Sequence, residues 1–443
     1  MKRALALIFV LAMTLSLLAG CGGNNSTVSN GSSQNTAGDT SGDSGKPYEG
    51  ETLTVLYMSS VYADAARAMV DEFEEITGAT VEVVDFPYVT LHEKALLDLT
   101  SGGTAAYDVI DVASQWDGEF APFLTDLGEY IERDSYNMDV WIENVLNNCG
   151  KWQDTIIGIP NACTPQVFAY RTDLLPDGIP DTWDEYREKC IELTSGDMYG
   201  TTISEAPGQL GGVFDYVLWS MGGAWADEDW NVTIDSPETR AALEHLYELN
   251  KKAMDPANLS WGTEESIKAF LDGKAAVCET WPTLGLTQAA DDPEKSQVVG
   301  KWALDLIPHE ETGVTLLSAW DVAIPANSEH KDLAWEWIKM YTSAEKQQAF
   351  YDEFAVFSPR KDFWEQDSIK NSPLYPLRSA LDTANMWWRV AASVEADTAI
   401  NTVVSAYLTD QIDLEEAVAQ LEEGITTALK NAPPEDGIKN YNR

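Results

Sequence analysis

The chain has 443 residues, with 28 basic and 73 acidic side chains, a formal charge of −45 and an apolar content of 44%. A chain of this length exceeds the size at which a single core stops growing, so it predicts two lobes, and the apolar content is that of a folded globular protein. The negative charge repels phosphate backbones and therefore argues against binding to nucleic acid.

The first 20 residues have the pattern of an export signal. Lys2 and Arg3 precede an apolar run at 4–19, which is short for a membrane span but typical of the core of a signal peptide. The run ends in LAGC, which resembles the bacterial lipobox, where lipid is attached to the cysteine after cleavage. We expect residues 1–20 to be a signal peptide and Cys21 to anchor the protein to the cell membrane by lipid. An ordinary signal peptide with a chance cysteine is the alternative.

Residues 21–50 are predicted to be a flexible linker, because they are rich in Gly, Ser, Asn, Thr and Asp and contain almost no apolar side chain. Four further cysteines follow, and the sequence does not choose among their three possible pairings or between disulfides and buried free thiols. None has the CxxC spacing of a zinc site, so we expect no metal and no cofactor. These cysteines are Cys149, Cys163, Cys190 and Cys278.

A first α/β region begins at Thr52. Strand and helix patterns alternate there, which predicts βαβ units with parallel pairing and right-handed crossovers. A glycine at the end of the first helix pattern indicates its C-terminal cap. The predicted elements are strand Thr52–Met58, helix Asp64–Thr77, strand Thr80–Phe86, helix Leu91–Thr100, strand Asp108–Ala113 and helix Glu119–Glu132.

The sequence changes character from Gly158 onward, where a glycine and two prolines frame the predicted strand Val167–Tyr170. We expect the chain to cross into a second lobe there. Capping patterns then open helices after Thr182 and Ser236. A short helix and the strand Ala275–Cys278 follow.

The segment 317–343 repeats the pattern of the first region. Its predicted strand, Asp321–Ile324, is followed by a turn and by a helix whose apolar residues form one buried stripe that includes Trp337. A short strand with a covering helix is an α/β layer unit. We therefore predict that the chain returns here to the first lobe. A third crossing is predicted at Phe354–Arg360, and two helices, near 392–408 and 413–430, end the chain.

Eight blocks, taken in order, resemble the extracellular solute-binding proteins of bacterial ABC sugar importers, the maltose-binding-like family. The resemblance covers Thr52 to Lys430, and the lipobox and linker suit the form that such proteins take in Gram-positive bacteria. The eighth block is the helical pattern that closes the chain. The other seven are YDVIDVASQWDGEFAPFLTDL, GIPNACTPQVFAYRTDLL, PDTWDEY, NVTIDSPETRAALEHLYEL, FLDGKAAVCETWP, LSAWDVAIPANSEHKDLAWEWI and SPRKDFW.

The resemblance implies an α/β fold of the periplasmic-binding-protein type II class, with two lobes, sheets flanked by helices and three hinge crossovers. The N-terminal lobe would comprise residues 51–160 and 317–354, and the C-terminal lobe residues 161–316 and 355–443. The implied function is that of an extracellular, monomeric subunit without catalytic activity. It would capture a carbohydrate, an oligosaccharide in particular, by closure of the lobes and deliver it to the ABC permease.

A sugar presents apolar faces, on which aromatic rings stack, and a rim of hydroxyls that amides, carboxylates and arginines bind. The chain has 16 tryptophans, and those at loop positions are the candidates, whereas Trp337 is assigned to the core. The resemblance places Trp281 and one of Trp387 and Trp388 at stacking positions. It also places Trp320 beside Ser318-Ala319, where the family has two glycines, which would narrow the cleft. The full set of candidates is Tyr62, Gln115, Trp116, Asp117, Glu279, Trp281, Trp320, Asp321, Trp387, Trp388 and Arg389.

Other interpretations remain open. Each candidate tryptophan could instead pack between the lobes, and each acid could be a solvated surface group. A lipid-anchored glycoside hydrolase or lyase needs only two carboxylates, although the chain lacks GxSxG, HExxH, GxxxxGK[ST] and GxGxxG. A binding protein for a non-sugar solute such as a peptide is a further alternative. The histidines are far apart and expected at the surface, at His92, His245, His309 and His330.

Overall fold

Regular structure follows the apolar patterns of the sequence in the computed structural model, which describes residues 45–282, 286–308, 312, 314–372, 374–435 and 437–439. The predicted signal peptide, Cys21, most of the predicted linker and His309 lie outside the described residues. Within those described ranges, no helix is both long and apolar enough to cross a membrane.

The strands are, in chain order, β1 (Thr52–Met58), β2 (Thr80–Phe86), β3 (Val109–Ala113), β4 (Lys151–Trp152), β5 (Thr155–Ile156), β6 (Gly158–Pro165), β7 (Val167–Arg171), β8 (Tyr199–Thr202), β9 (Ala275–Thr280), β10 (Trp302–Asp305) and β11 (Leu317–Ala323). The helices are α1 (Val61–Thr77), α2 (Tyr88–Leu99), α3 (Asp117–Phe120), α4 (Gly128–Asp134), α5 (Glu143–Asn148), α6 (Trp183–Leu193), α7 (Leu210–Ser220), α8 (Pro237–Lys252), α9 (Thr263–Leu271), α10 (Leu286–Ala289), α11 (Lys331–Tyr341), α12 (Ala344–Phe354), α13 (Lys361–Trp364), α14 (Asp367–Lys370), α15 (Leu377–Thr383), α16 (Ser393–Leu408) and α17 (Leu414–Asn431).

The first sheet has the strand order β2-β1-β3-β11-β6. β1 pairs in parallel with β2 and β3, as the βαβ pattern predicts, and α1 and α2 form the crossovers. The late strand β11 runs antiparallel between β3 and β6, with Trp320 opposite Ala113. It begins at Leu317, earlier than the predicted Asp321, because it pairs along the whole of β6.

The second sheet has the order β10-β7-β9-β8. β7 is antiparallel to β9 and β10, and β8 is parallel to β9. Only Gln166 separates β6 from β7, so the chain passes directly from the first sheet to the second. Two sheets with flanking helices confirm the predicted two-lobed α/β class, whereas the residue boundaries of the lobes stay a prediction.

Two predicted elements differ from the structure. The helix expected at Glu119–Glu132 is interrupted at Pro122, which lies in a short 3-10 turn, and α-helix resumes only at Gly128. Proline lacks an amide hydrogen and clashes inside a helix, which explains the break. The third crossing, after Phe354, is extended but forms no ladder; there the carbonyl of Phe357 accepts a bond of 3.1 Å from the amide of Cys163.

His245 corrects the prediction that the histidines lie at the surface. It is completely buried on the inner face of α8, one turn from Ala242 and Leu249, and its ring lies 4.8 Å from that of Trp183. Burial, with a smaller effect of Arg187, lowers the pKa of His245 to about 3, so the ring is neutral at physiological pH.

The predicted core position of Trp337 is confirmed, because it is fully buried and donates to the Tyr57 hydroxyl at 3.0 Å. The four cysteines of the described chain are buried free thiols, which answers the question that the sequence left open.

Candidate ligand-binding site

A cavity of about 460 Å³ lies where the two sheets meet, and its volume is in the range of small-molecule sites. Its first wall is built by elements of the first sheet and its helices. We define this wall as Tyr62, Tyr88, Gln115, Trp116 and Trp320. Its second wall is defined by a set of residues on α7, α16 and the segments that follow β9 and α15: Tyr216, Trp281, Trp387 and Asp397.

The first wall is a cluster of aromatic rings. Trp116 lies in the turn that follows β3, at the carboxyl end of a central strand, where open α/β sheets place their ligands. Its ring centroid is 4.9 Å from that of Tyr88 and 5.6 Å from that of Trp320, and the Trp320 centroid is 5.6 Å from that of Tyr62. Gln115 donates a hydrogen bond to the Tyr88 hydroxyl. The wall therefore offers apolar ring surface edged by an amide and a phenol.

The second wall carries two indoles that face the same space. Trp281 directly follows β9, and its ring centroid is 6.4 Å from that of Trp387. Tyr216, on α7, donates its hydroxyl to Glu279, which is 1% exposed. Rings from both walls thus line one cavity, which is the arrangement that stacking on a flat, partly apolar ligand requires.

Paired glycines on α7 allow the second wall to pack closely. A Cβ atom on Gly211 would lie 2.1 Å from Oδ1 of Asp397, and one on Gly212 would lie 3.1 Å from the indole of Trp387. Neither glycine has a left-handed backbone. These positions therefore need glycine because a larger side chain would not fit, and not because of the backbone conformation. Any larger residue at Gly211 would displace the Asp397 carboxylate from its position in the cavity.

Asp397 was not predicted from the sequence. It lies in the first turns of α16 between the buried positions Ala396 and Ile400, and burial raises its pKa to about 6, while a hydrogen bond from Asn401 opposes the shift. Its signal in the sequence was an acid on the buried face of α16, beside Ala396 and one turn before Ile400 and Asn401. It is the single Asp or Glu among the described residues that line the cavity.

Six of the eleven predicted binding residues line this cavity: Tyr62, Gln115, Trp116, Trp281, Trp320 and Trp387. Whether they touch a ligand stays a prediction. The structure places the other five elsewhere, and three of these form a buried charge cluster, defined as Asp117, Asp321 and Arg389.

Asp117 and Asp321 are fully buried in this cluster, away from the cavity. Asp117 accepts from a guanidinium nitrogen of Arg389 at 2.6 Å and from the amide of Gly150 at 3.1 Å. Burial raises the pKa of both acids. Arg389 opposes the shift at Asp117, while repulsion from Asp117 adds to it at Asp321. Burial and the neighbouring carboxylate therefore both favour the neutral form of Asp321, and Asp117 and Arg389 form an ion pair inside the protein.

Glu279 and Trp388 are the other two predicted residues that do not line this cavity. Glu279 lies behind the second wall, where Tyr186 donates to it at 3.0 Å, and burial holds its pKa well above the usual range. Trp388 is 3% exposed and packs against Trp225, with ring centroids 4.8 Å apart. Trp387 therefore lines the first cavity, whereas its neighbour Trp388 does not.

A second cavity of about 760 Å³ lies beside the first. Trp387 lines both cavities, and Trp388 and Arg389 line the second, together with Trp152 and Trp230. No group of three or more potential metal ligands occurs in the part of the chain that the structure describes. The chemistry available at the first cavity is therefore stacking, hydrogen bonding and the charge of one carboxylate.

Comparison with known proteins agrees with this fold. The chain is 28% identical over 309 residues to a probable amino-acid ABC transporter periplasmic-binding protein of Sinorhizobium fredii, covering 67% of this chain and 70% of that protein. It is 24% identical to the erythritol/L-threitol-binding protein of Mycolicibacterium smegmatis, covering 78% and 77% of the two chains. The structure of maltose-bound MalE3 of T. maritima superposes with a TM-score of 0.77 at 25% identity, covering 85% of this chain and 99% of the other.

The family model of the bacterial extracellular solute-binding proteins matches residues 59–348. That stretch includes β2 to β11 and the Trp281 and Trp320 positions, whereas Trp387 and Asp397 of the second wall lie after it. The chain belongs to the family of bacterial extracellular solute-binding proteins.

Proposed function

We propose that this protein is the substrate-binding subunit of an ABC importer for a carbohydrate, which binds in the cavity between the first and second walls. The observation that carries the proposal is the presence of seven aromatic rings from both walls in one cavity of about 460 Å³. Sugar rings offer apolar C–H faces to such surfaces, and Gln115 and Asp397 can bind hydroxyls. Relatives named for erythritol, threitol and maltose support this ligand class.

An oligosaccharide is the ligand that we favour over a single sugar. Trp387 lines both cavities, so a chain of rings could pass from the first cavity across this indole into the second. Titration with sugars of increasing length tests this point, because affinity should rise until both cavities are filled. Equal affinity for the monosaccharide and the longer chains would contradict it.

Binding is proposed to draw the two lobes together and so to create the form that the permease recognises. Each wall supplies part of the site, so a ligand stabilises the closed form through contacts that are available only there. Small-angle scattering on the monomeric protein tests the mechanism, and we expect the radius of gyration to fall at saturating ligand. An unchanged radius would contradict closure.

The enzyme alternative is less well supported by the cavity. Glycoside hydrolysis uses two carboxylates on opposite sides of the bond, but Asp397 is the single Asp or Glu among the described lining residues. Incubation with an oligosaccharide panel, followed by a melting curve and analysis of the sugars, separates the two functions. Stabilisation with the sugars intact supports a binding protein, and cleaved sugars would contradict this proposal.

The anchoring proposal rests on the sequence, because Cys21 lies outside the described residues. We propose that residues 1–20 are removed and that lipid at Cys21 holds the protein on the outer face of the cell membrane, with residues 21–50 as the linker. The Cys21→Ala variant should move from the membrane fraction to the soluble fraction, and an unchanged distribution would contradict lipidation.

A further inference from the structure

Acidic side chains lie behind the aromatic lining of the cavity. Three buried acids lie behind the rings: Glu279 accepts the hydroxyl of Tyr216, Asp215 accepts the indole N–H of Trp225 at 2.7 Å while Trp387 opposes the rise of its pKa, and Asp111 raises the pKa of Tyr62 by repulsion after the larger effect of burial. These acids come from three different elements, so their effect is distributed around the cavity.

Asp397 is the acid that reaches the cavity itself. No Lys or Arg occurs among the described residues that line it, and the lining ring of His92 already pairs with Glu119 at 2.7 Å. Arg389 is 14% exposed and is committed to Asp117 in the buried charge cluster. The carboxylate of Asp397 therefore stands in an aromatic cavity without a cationic partner from the lining.

We propose that the ligand carries a cationic amine, which binds beside Asp397 between the rings of the two walls. This inference rests on the proposed function and specifies the ligand as an amino sugar. Aromatic faces attract cations through their quadrupole, and the effect grows as water is excluded. A carboxylate among such faces supplies the counter-charge, so the cavity combines two features that favour the same group.

An amino acid would supply the same amine, but its carboxylate would need a partner as well. The described lining offers no Lys or Arg for that purpose, and the ionised carboxylate of Asp397 would repel a second carboxylate. The amino sugar carries only the positive group and keeps the apolar ring faces that the indoles can stack on. The structure therefore favours the amino sugar over the zwitterion.

The acid that the amine would neutralise is faced by groups from two helices, α2 and α7. Tyr88 on α2 feels the charge of Asp397, Asp215 on α7 repels it, and His92 on α2 lines the same cavity. Because burial raises the pKa of Asp397 to about 6, the carboxyl is mostly ionised at pH 7.5 and mostly protonated at pH 5. Amine affinity should therefore fall with acidification, whereas affinity for a neutral sugar should change much less.

The test uses pairs of sugars and oligosaccharides that differ only in an amine or a hydroxyl at one carbon, such as glucosamine and glucose oligomers, with free amino acids as a separate set. Calorimetric titration of the protein at pH 7.5 should show at least one amino member that binds about tenfold or more tighter than its hydroxyl partner. The Asp397→Asn variant should lose this preference. Glu395→Gln removes a charge from the same helix outside the cavity and should keep it.

The outcomes separate this inference from the proposed function. Neutral sugars that bind as tightly as their amino partners would overturn the inference and leave the carbohydrate function standing. Binding of free amino acids alone would retain the cationic amine but overturn the carbohydrate function, and binding of no member would contradict both. If Asp397→Asn fails to fold, the loss of preference of the unaltered protein between pH 7.5 and pH 5 decides the question, and an unchanged preference overturns the inference.

Discussion

The cavity and the buried charge cluster contain the same kinds of residue but use them differently. In the cluster, Asp117 is buried against Arg389 and is neutralised inside the protein. In the cavity, Asp397 lies against aromatic rings, and its described neighbours on the lining include no Lys or Arg. An acid next to a tryptophan in sequence, such as Asp117 beside Trp116, is therefore not by itself evidence of a ligand contact. We propose that the site is marked by an acid for which the described lining supplies no Lys or Arg.

The largest loss of stability is expected when Arg389 is replaced. The Arg389→Met variant leaves Asp117 buried without its cation, and we expect the free energy of unfolding to fall by about 3–5 kcal/mol. Urea denaturation measures the loss. Lys268→Met, which removes one partner of an exposed pair with Asp272, is the matched control and should change it by less than about 0.5 kcal/mol. A loss at Arg389 no larger than in the control would mean that the cluster is not an internal ion pair.

Acids without a cationic partner should make stability depend on pH. Burial raises the pKa of Glu205 to about 7, and bonds from Asn258 and Asn250 oppose the shift. The folded protein then binds this proton more tightly than the unfolded chain, so stability is lost as pH rises from about 4.5 to 7, by up to about 3 kcal/mol. Urea denaturation at about pH 4.5 and pH 7 measures the free energy of unfolding. Between these pH values, Glu205→Gln should lose less of it than the unaltered protein does. An equal loss in both proteins would contradict the raised pKa.

The second wall should lose its ligand when one indole is removed. Trp281→Ala removes a partly exposed ring next to Trp387, and we expect a loss of about 2 kcal/mol or more in binding, roughly 30-fold in affinity, with the fold intact. Trp302→Ala, on β10 and outside the cavity, is the control for the loss of an indole elsewhere. Affinity in Trp281→Ala equal to that of the unaltered protein would mean that the site lies elsewhere.

The smallest expected effect is at the glycine that makes room for Asp397. Gly211→Ala places a Cβ where Oδ1 of Asp397 lies, 2.1 Å away, so the carboxylate must move. We expect about tenfold weaker binding, close to 1.4 kcal/mol, because displaced groups no longer meet the ligand. Gly103→Ala, with an open surrounding, should bind as the unaltered protein does. Unchanged affinity in Gly211→Ala would show that the position of Asp397 does not matter.

Much of the fold followed from local patterns. The strands at 52–58 and 80–86 and the return of β11 to the first sheet were visible as apolar runs of the right period, because burial on one face imposes that period. Pro122 was the visible reason for a break that the apolar pattern concealed. The third crossing was predicted only as a crossing, and its backbone forms single hydrogen bonds, as from Cys163 to Phe357, and not a ladder.

The site was only partly accessible from sequence. Loop tryptophans such as Trp116 and Trp281 were predicted because their positions after strands follow from the chain. The fates of Asp117 and Asp321 depended on Arg389, more than 60 residues away along the chain, and no local pattern shows that distant pairing. Asp397 was missed because its place in the cavity depends on residues of α2 and α7, which are distant from it in sequence.

A crystal structure of the protein with a bound sugar is the most direct test of the proposal that a carbohydrate binds between the two walls. We expect a sugar ring in the cavity of about 460 Å³, stacked on Trp281 or Trp387 and within hydrogen-bonding distance of Asp397. A sugar bound elsewhere, with this cavity empty and its rings uncontacted, would contradict the account.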